Sequence, residues 1–120
     1  MKKALIFGVT GQDGTYLADF LLKKNYEVFG TFRRTSHKCF ERLEEIKIFD
    51  LVHTIKMDLA DQGSIQNAIK KSDPDEIYNL AAQSFVGTSF SQPILTSDIT
   101  GLGTLRILEA IKQLDLNLKF

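Results

Sequence analysis

Tryptophan is absent from the 120-residue chain, cysteine occurs once and proline twice, and neither sign of charge is in excess, with 15 Lys plus Arg against 15 Asp plus Glu. Each shortage removes a class of protein. A single cysteine, Cys39, cannot make an internal disulfide or a Cys-rich zinc site, and it fits a reducing, cytoplasmic compartment. Formal neutrality without a basic run argues against a nucleic-acid partner. The apolar run that follows Met1-Lys2-Lys3 is broken by Gly8, too early for a signal sequence, and no segment approaches the roughly 20 apolar residues that span a bilayer, so no membrane partner is expected. What is present, 43% hydrophobic and 25% charged residues, is the composition of one ordinary globular domain.

Ala4 to Val9 is a short, nearly continuous apolar run, the signature of a strand buried on both faces. From Asp13 to Lys24, Tyr16, Leu17, Phe20 and Leu21 fall at helical spacing, and Lys23 and Lys24 suit a helix C-terminus, which favours cations. Glu27 to Phe32 is rich in β-branched and aromatic residues and predicts a second strand. Phe40, Leu43 and Ile46 mark a weaker helix, and His53 to Met57 a third strand ending at Asp58. Asp61 is placed to cap a helix running through Lys71, Pro74 stops it, and Glu76 to Ala82 predicts a fourth strand. Pro93 opens the last long helical segment, with Leu102, Leu105, Ile107, Leu108 and Ile111 expected on its inner side. Leu118 to Phe120 reads as the opening of a fifth strand. Strands alternating with helices at this spacing give right-handed βαβ crossovers, so the predicted fold class is α/β, a doubly wound parallel sheet of about four βα units.

Between the first strand and the first helix lies Gly8-Val9-Thr10-Gly11-Gln12-Asp13-Gly14. In such a turn the first glycine permits a sharp reversal, the second lets backbone approach a pyrophosphate, and the third lets helix pack close to strand. The helix N-terminus then offers free N–H groups to an anion. A loop that needs its glycines only for its own geometry is the alternative, and the position directly after an N-terminal strand favours the dinucleotide reading. No Gly-Lys-Ser or Gly-Lys-Thr follows, which excludes a Walker-type phosphate loop. After the second strand, where an NAD-binding protein usually carries an acid, stands Arg33-Arg34-Thr35-Ser36. Two guanidinium groups and two hydroxyls suit a ribose 2′-phosphate that a carboxylate would repel, so NADP is favoured over NAD; a solvated basic corner is the alternative. After the fourth strand, Leu80-Ala81-Ala82-Gln83-Ser84 supplies small residues against which the nicotinamide half could lie. Strands one and four flank the switch point, where doubly wound sheets bind ligands.

The stretch from Gly8 to Leu17, spaced Gly-x-x-Gly-x-x-Gly, resembles the extended short-chain dehydrogenases and reductases, and more narrowly the GDP-mannose 4,6-dehydratase family. The resemblance continues through Pro74-Asp75-Glu76-Ile77-Tyr78-Asn79-Leu80, through Ser84-Phe85-Val86 and Ser89-Phe90 to Pro93, and through Gly103 to Ala110. It implies a Rossmann-like NADP-binding fold, with Arg33 to Ser36 as the 2′-phosphate site and Asp58-Leu59 against the adenine, although an Asp at 58 also serves as a turn residue. Departures are a short segment between Arg34 and Asp58, Phe85 where many members have histidine, and Leu95 where many have a cofactor-holding tyrosine.

The implied activity is that of a lyase of nucleotide-sugar metabolism, on the route to GDP-fucose and other deoxysugars. Hydride passes from C4 of GDP-mannose to NADP, water is lost across C5 and C6, and hydride returns to C6, giving GDP-4-keto-6-deoxy-mannose. The family does this with a Tyr-x-x-x-Lys pair, a Thr or Ser, and a Glu. The residues four beyond Tyr16, Tyr26 and Tyr78 are Phe20, Gly30 and Ala82, so no catalytic residue is assigned. Residues 1–120 are expected to be an N-terminal dinucleotide-binding region, without the catalytic, sugar-nucleotide-binding half and inactive by itself. The complete enzyme would take GDP-mannose as substrate and form a homo-oligomer, with close helix packing at Gly101 and Gly103. Another nucleotide-sugar epimerase or reductase of the extended family, and a non-catalytic nucleotide-binding module, are the alternatives; Gln12-Asp13 and Arg33-Arg34 argue against the epimerase or reductase. His37 and His53 have no partner at metal-ligand spacing and Cys39 has no evident base, so no metal is expected. In the complete protein, Arg33→Ala should cost about 1.5–3 kcal/mol of NADP binding by calorimetry, the range of a hydrogen bond to a charged group, and an unchanged affinity would remove the 2′-phosphate assignment.

Overall fold

The computed structural model describes residues 1–33, 39–81 and 90–120. Strands β1 (Lys3–Phe7), β2 (Glu27–Phe32), β3 (His53–Lys56) and β4 (Glu76–Asn79) form one parallel sheet in the order β3-β2-β1-β4. β1 pairs Leu5 with Phe29 of β2 on one side and with Ile77 of β4 on the other. The direction of winding reverses between β1 and β4, as the expected switch point requires. Helices α1 (Gln12–Lys23), α2 (Glu41–Glu45), α3 (Gln62–Ser72), α4 (Pro93–Thr96) and α5 (Gly103–Gln113) complete the fold, with a π-helical stretch, Ser97–Leu102, joining α4 to α5.

The alternation of β1 builds both cores. Ala4 and Ile6 face a cluster that includes Ala18 and Leu21 of α1, Val28 of β2 and Leu43 of α2. Leu5 and Phe7 face the opposite cluster, with Ile65 and Ile69 of α3 and Ile107 and Ala110 of α5. All four β1 residues are fully buried, as expected for a strand covered on both faces. Asp61 caps α3 as its sequence position suggests, its Oδ1 accepting the Gly63 N–H at 3.0 Å. Lys119 forms one isolated parallel bridge with Glu76, and the Ile77 N–H donates to its carbonyl at 2.7 Å, so Leu118 to Phe120 touches the edge of β4 at one residue and the sheet itself has four strands among the described residues.

Several expectations need correction. Val9 does not extend β1, because Gly8 at φ 84° turns the chain away first. β4 ends at Asn79, and Ala82 lies outside the described residues. Tyr16 and Phe20 of α1 face outward; the buried stripe is Gly14, Thr15, Ala18 and Leu21. On α5 and the stretch before it, Leu102, Leu105 and Leu108 are exposed, while Gly103, Ile107 and Ala110 form the inner face. These segments carry more apolar residues than one face can hold, and small residues, which allow the closer approach to the sheet, take the inner position. Among the described residues, four non-glycine residues lie in left-handed backbone, at φ 64° for Asn25, 61° for Lys47, 43° for Asp73 and 53° for Asp115, each shortly after a helix end. No helix among the described residues is long and apolar enough to cross a membrane.

At the amino end of β4 the Tyr26 and Tyr78 hydroxyls both donate to Glu76, to Oε1 at 2.6 Å and to Oε2 at 2.7 Å. These hydrogen bonds, Tyr26 first, hold the Glu76 carboxyl below its ordinary value, and the bond to Glu76 together with burial pushes Tyr78 up to about 12. A carboxyl with a depressed folded value contributes stability above its unfolded pKa and loses it as pH falls through the folded one. Glu76→Gln should therefore melt below the wild type near pH 7, with the gap closing as pH falls through and below the ordinary carboxylate range, in thermal unfolding followed by circular dichroism. A gap that stays constant over that range would show that the carboxylate is not the stabilising form.

Candidate functional site

The carboxyl ends of all four strands open on one cleft of about 310 Å³. Gly8 and Thr10 line it after β1, Arg33 after β2, Asp58 and Leu59 after β3, and Leu80 and Ala81 after β4. Parallel strands in register bring these residues together although they are spread over some seventy positions of sequence.

The turn after β1 is held by backbone. Gly8 N–H donates to the Thr31 hydroxyl at 3.2 Å, Val9 N–H to the Thr31 carbonyl at 3.1 Å, and the Thr15 hydroxyl to the Val9 carbonyl at 3.0 Å. The three glycines of the turn have different reasons to be glycine. At Gly8 a Cβ would lie 3.0 Å from the Ala81 backbone, in addition to the positive φ. At Gly14 a Cβ would fall 2.2 Å from the Gly8 carbonyl oxygen, so only glycine lets α1 start this close to β1. At Gly11 the nearest atom stands 3.6 Å away, in ordinary contact, and φ is −72°. The protein's own packing does not require glycine there. Gly11 is also the N-cap of α1 and provides no side-chain cap, so the first-turn N–H groups face the cleft end of the helix without a side-chain acceptor.

The other predicted residues divide clearly. Val9 turns its side chain fully into the core, over Gly30, where a Cβ would meet it at 2.5 Å. Its share in the site is backbone only. Gln12 and Asp13 are exposed on the first turn of α1. Asp58 accepts the Ala60 N–H on Oδ1 at 2.9 Å, and its carbonyl accepts the Ser64 hydroxyl at 3.0 Å, so the turn role weighed for it is real and coexists with its place in the cleft wall. Arg34, Thr35, Ser36, Ala82, Gln83 and Ser84 lie outside the described residues, as does His37. His53 stacks on Phe29 with ring centroids 4.7 Å apart and stands 3.4 Å from Glu27 Oε1, away from the cleft lining.

Sequence reasoning missed several members. Cys39, Met57 and Ile99 also line the cleft. Arg42 of α2 donates to the Thr10 carbonyl at 3.2 Å, which ties that helix to the glycine turn. Met57 carried a signal, as the last residue of the predicted third strand, directly before Asp58. Ile99 carried none, since it reaches the cleft through a π-helical stretch that apolar periodicity does not reveal.

The profile of the family described as GDP-mannose 4,6 dehydratase matches residues 5–120. The chain is 48% identical over 120 residues to a GDP-mannose 4,6-dehydratase of Vibrio cholerae, which covers 96% of this chain and 32% of that protein. It is 46% identical over 115 residues to the human GDP-mannose 4,6 dehydratase, over 91% of this chain and 31% of that one. The chain thus spans about a third of the length of the curated relatives it matches. Among solved structures it resembles the UDP-glucose 4-epimerase of Thermus thermophilus, solved as a complex with NAD, at TM-score 0.80 and 26% identity over 96% of this chain and 35% of that chain. The epimerase of Stenotrophomonas maltophila, at TM-score 0.83 and 18% identity over 98% of this chain and 35% of that one, shares the fold.

The contrast between glycines is open to test. Gly14→Ala should destabilise the fold by about 2–3 kcal/mol in denaturant unfolding, because backbone rather than a flexible side chain blocks the new methyl. Gly11→Ala should stay within about 1 kcal/mol of wild-type stability yet weaken NADP binding at least tenfold. Unchanged binding in Gly11→Ala would mean that the turn's second glycine faces no ligand.

Proposed function

Because the chain belongs to the GDP-mannose 4,6-dehydratase family, we propose that it is the NADP-binding part of a lyase that converts GDP-mannose to GDP-4-keto-6-deoxy-mannose. Residues 1–120 form its N-terminal dinucleotide-binding region, with the sugar nucleotide handled by other parts of a complete, cytoplasmic and homo-oligomeric enzyme. The observation that carries the reading is Gly11. It is the one glycine of the turn that neither packing nor backbone angle demands, and it stands at the uncapped start of α1, directly after Thr10, which lines the cleft. An absent Cβ there leaves room for a pyrophosphate against the backbone, and the helix N–H groups and dipole favour its charge.

The residues present fit a dinucleotide along the whole cleft. The turn from Gly8 to Gly14 would hold the pyrophosphate, and Asp58 and Leu59 would border the adenine. Leu80 and Ala81 lie across the switch point, where their side chains leave the nicotinamide half close to the sheet edge. When bound, the nicotinamide supplies the hydride acceptor at C4 and the donor at C6. Arg33 is exposed at the end of β2 on the cleft wall, where its guanidinium is free to meet a ribose 2′-phosphate. No acidic residue follows β2 among residues 33–36, which supports NADP over NAD.

Calorimetry with both dinucleotides tests the cofactor. NADP should bind at least about tenfold tighter than NAD, a difference of about 1.4 kcal/mol. Equal affinities would overturn the NADP assignment, and the complete enzyme failing to remove one water from GDP-mannose, read by mass spectrometry, would overturn the dehydratase.

A further inference from the structure

One side chain ties together two walls of the cleft that come from different parts of the chain. Arg106, on α5, donates through Nη1 to the Leu59 carbonyl at 3.0 Å and to the Asp98 carbonyl at 3.1 Å, and through Nη2 to the Asp98 carboxylate at 2.5 Å. Its own carbonyl accepts the Gln62 side-chain amide at 3.0 Å, which links the same point to α3. The guanidinium is largely shielded, with 24% of the side chain exposed. Leu59 follows Asp58 at the end of β3, and Ile99 follows Asp98 in the π-helical stretch. Both Leu59 and Ile99 are buried, and both line the cleft. Gly103 completes the arrangement, since a Cβ there would press on the Leu59 side chain at 3.1 Å.

The cleft is chemically graded. Gly8 and Thr10 bring the turn that leads into the uncapped start of α1 to its wall, and Arg33 presents a cation, both suited to phosphate. Met57, Leu59 and Ile99 form an apolar section suited to a flat heteroaromatic ring. Nothing in the local backbone fixes the spacing of the two walls in that section, since one belongs to the loop after β3 and the other to a π-helical stretch some forty residues later. Arg106 contacts both, and its planar fork fixes direction as well as distance.

We propose that Arg106 is a positioning residue that sets the width of the base-binding section of the cleft, by holding the Leu59 and Asp98 backbones so that the Leu59 and Ile99 side chains grip the base. The proposal rests on the dinucleotide reading above and adds to it which residue governs grip on the base. A ligand pair differing only in the base isolates the effect: adenosine 2′,5′-bisphosphate against ribose 2,5-bisphosphate, both measured by calorimetry on the intact protein. Arg106→Met should reduce the preference for the adenosine compound by about tenfold, and Arg106→Lys, which keeps one donor and the charge, should restore part of it. A merely structural role would weaken both ligands alike, and an unchanged preference in Arg106→Met overturns the proposal. If Arg106→Met does not fold, Arg106→Lys decides, a preference reduced by about threefold supporting the proposal and an unchanged one overturning it. Failure of the wild type to bind adenosine 2′,5′-bisphosphate or NADP at all would instead overturn the dinucleotide reading on which the proposal rests.

Discussion

The start of α1 is separated from the end of β1 by the thickness of two backbones. A Cβ on Gly14 would lie 2.2 Å from the Gly8 carbonyl oxygen, so this approach exists only because residue 14 has no side chain. From it follow the direction of α1 and the aim of its N-terminus at the switch point. Gly8 allows a close, though less extreme, approach on the other side, where a Cβ would lie 3.0 Å from the Ala81 backbone, and that sets how near the end of β4 comes to the turn. The centre of the cleft is therefore built from steric exclusions more than from attractive contacts.

Attraction takes over at the edges of the site. Thr31 binds two successive N–H groups of the turn, Arg42 holds the Thr10 carbonyl, and Arg106 joins the loop after β3 to the chain after α4. Apart from the Val9 N–H, which the Thr31 carbonyl accepts, a side chain from one element satisfies backbone of another. Buried or half-buried peptide groups left without partners are costly, so these contacts both complete the hydrogen bonding and restrict how the loops can move. The cleft is thus a rigid central turn with walls held from outside.

The central features were legible because they are local. A strand covered on both faces, a glycine turn after it and an Asp that caps a later helix each declare themselves within a few residues. β1 is found over Lys3–Phe7, two residues short of the expected Val9, the chain turns at Gly8 into α1 at Gln12, and Asp61 caps α3. Outward-facing apolar residues were not legible. Tyr16 and Phe20, and Leu102, Leu105 and Leu108, satisfy helical periodicity as well as the inward residues do, and only the closeness of packing against the sheet selects Ala18 or Ala110 over them. Ile99, Arg42 and Arg106 depend on tertiary approach across many residues, and no window of sequence contains both ends of their contacts. The Arg33 position could be read, whereas Arg34 to Ser36 fall outside the described residues.

The residues after the helix ends carry a consequence of their own. Asn25, Lys47, Asp73 and Asp115 hold the left-handed backbone that glycine adopts without cost, while Gly8 and Gly14 stand at the turn between β1 and α1. Glycine is used at that turn and not at these helix ends. The molecule consequently keeps an unused reserve of rigidity at sites remote from its cleft, Lys47 above all, because a lysine gains nothing locally from a left-handed turn. Stabilising substitutions at these helix ends touch none of the residues that line the cleft.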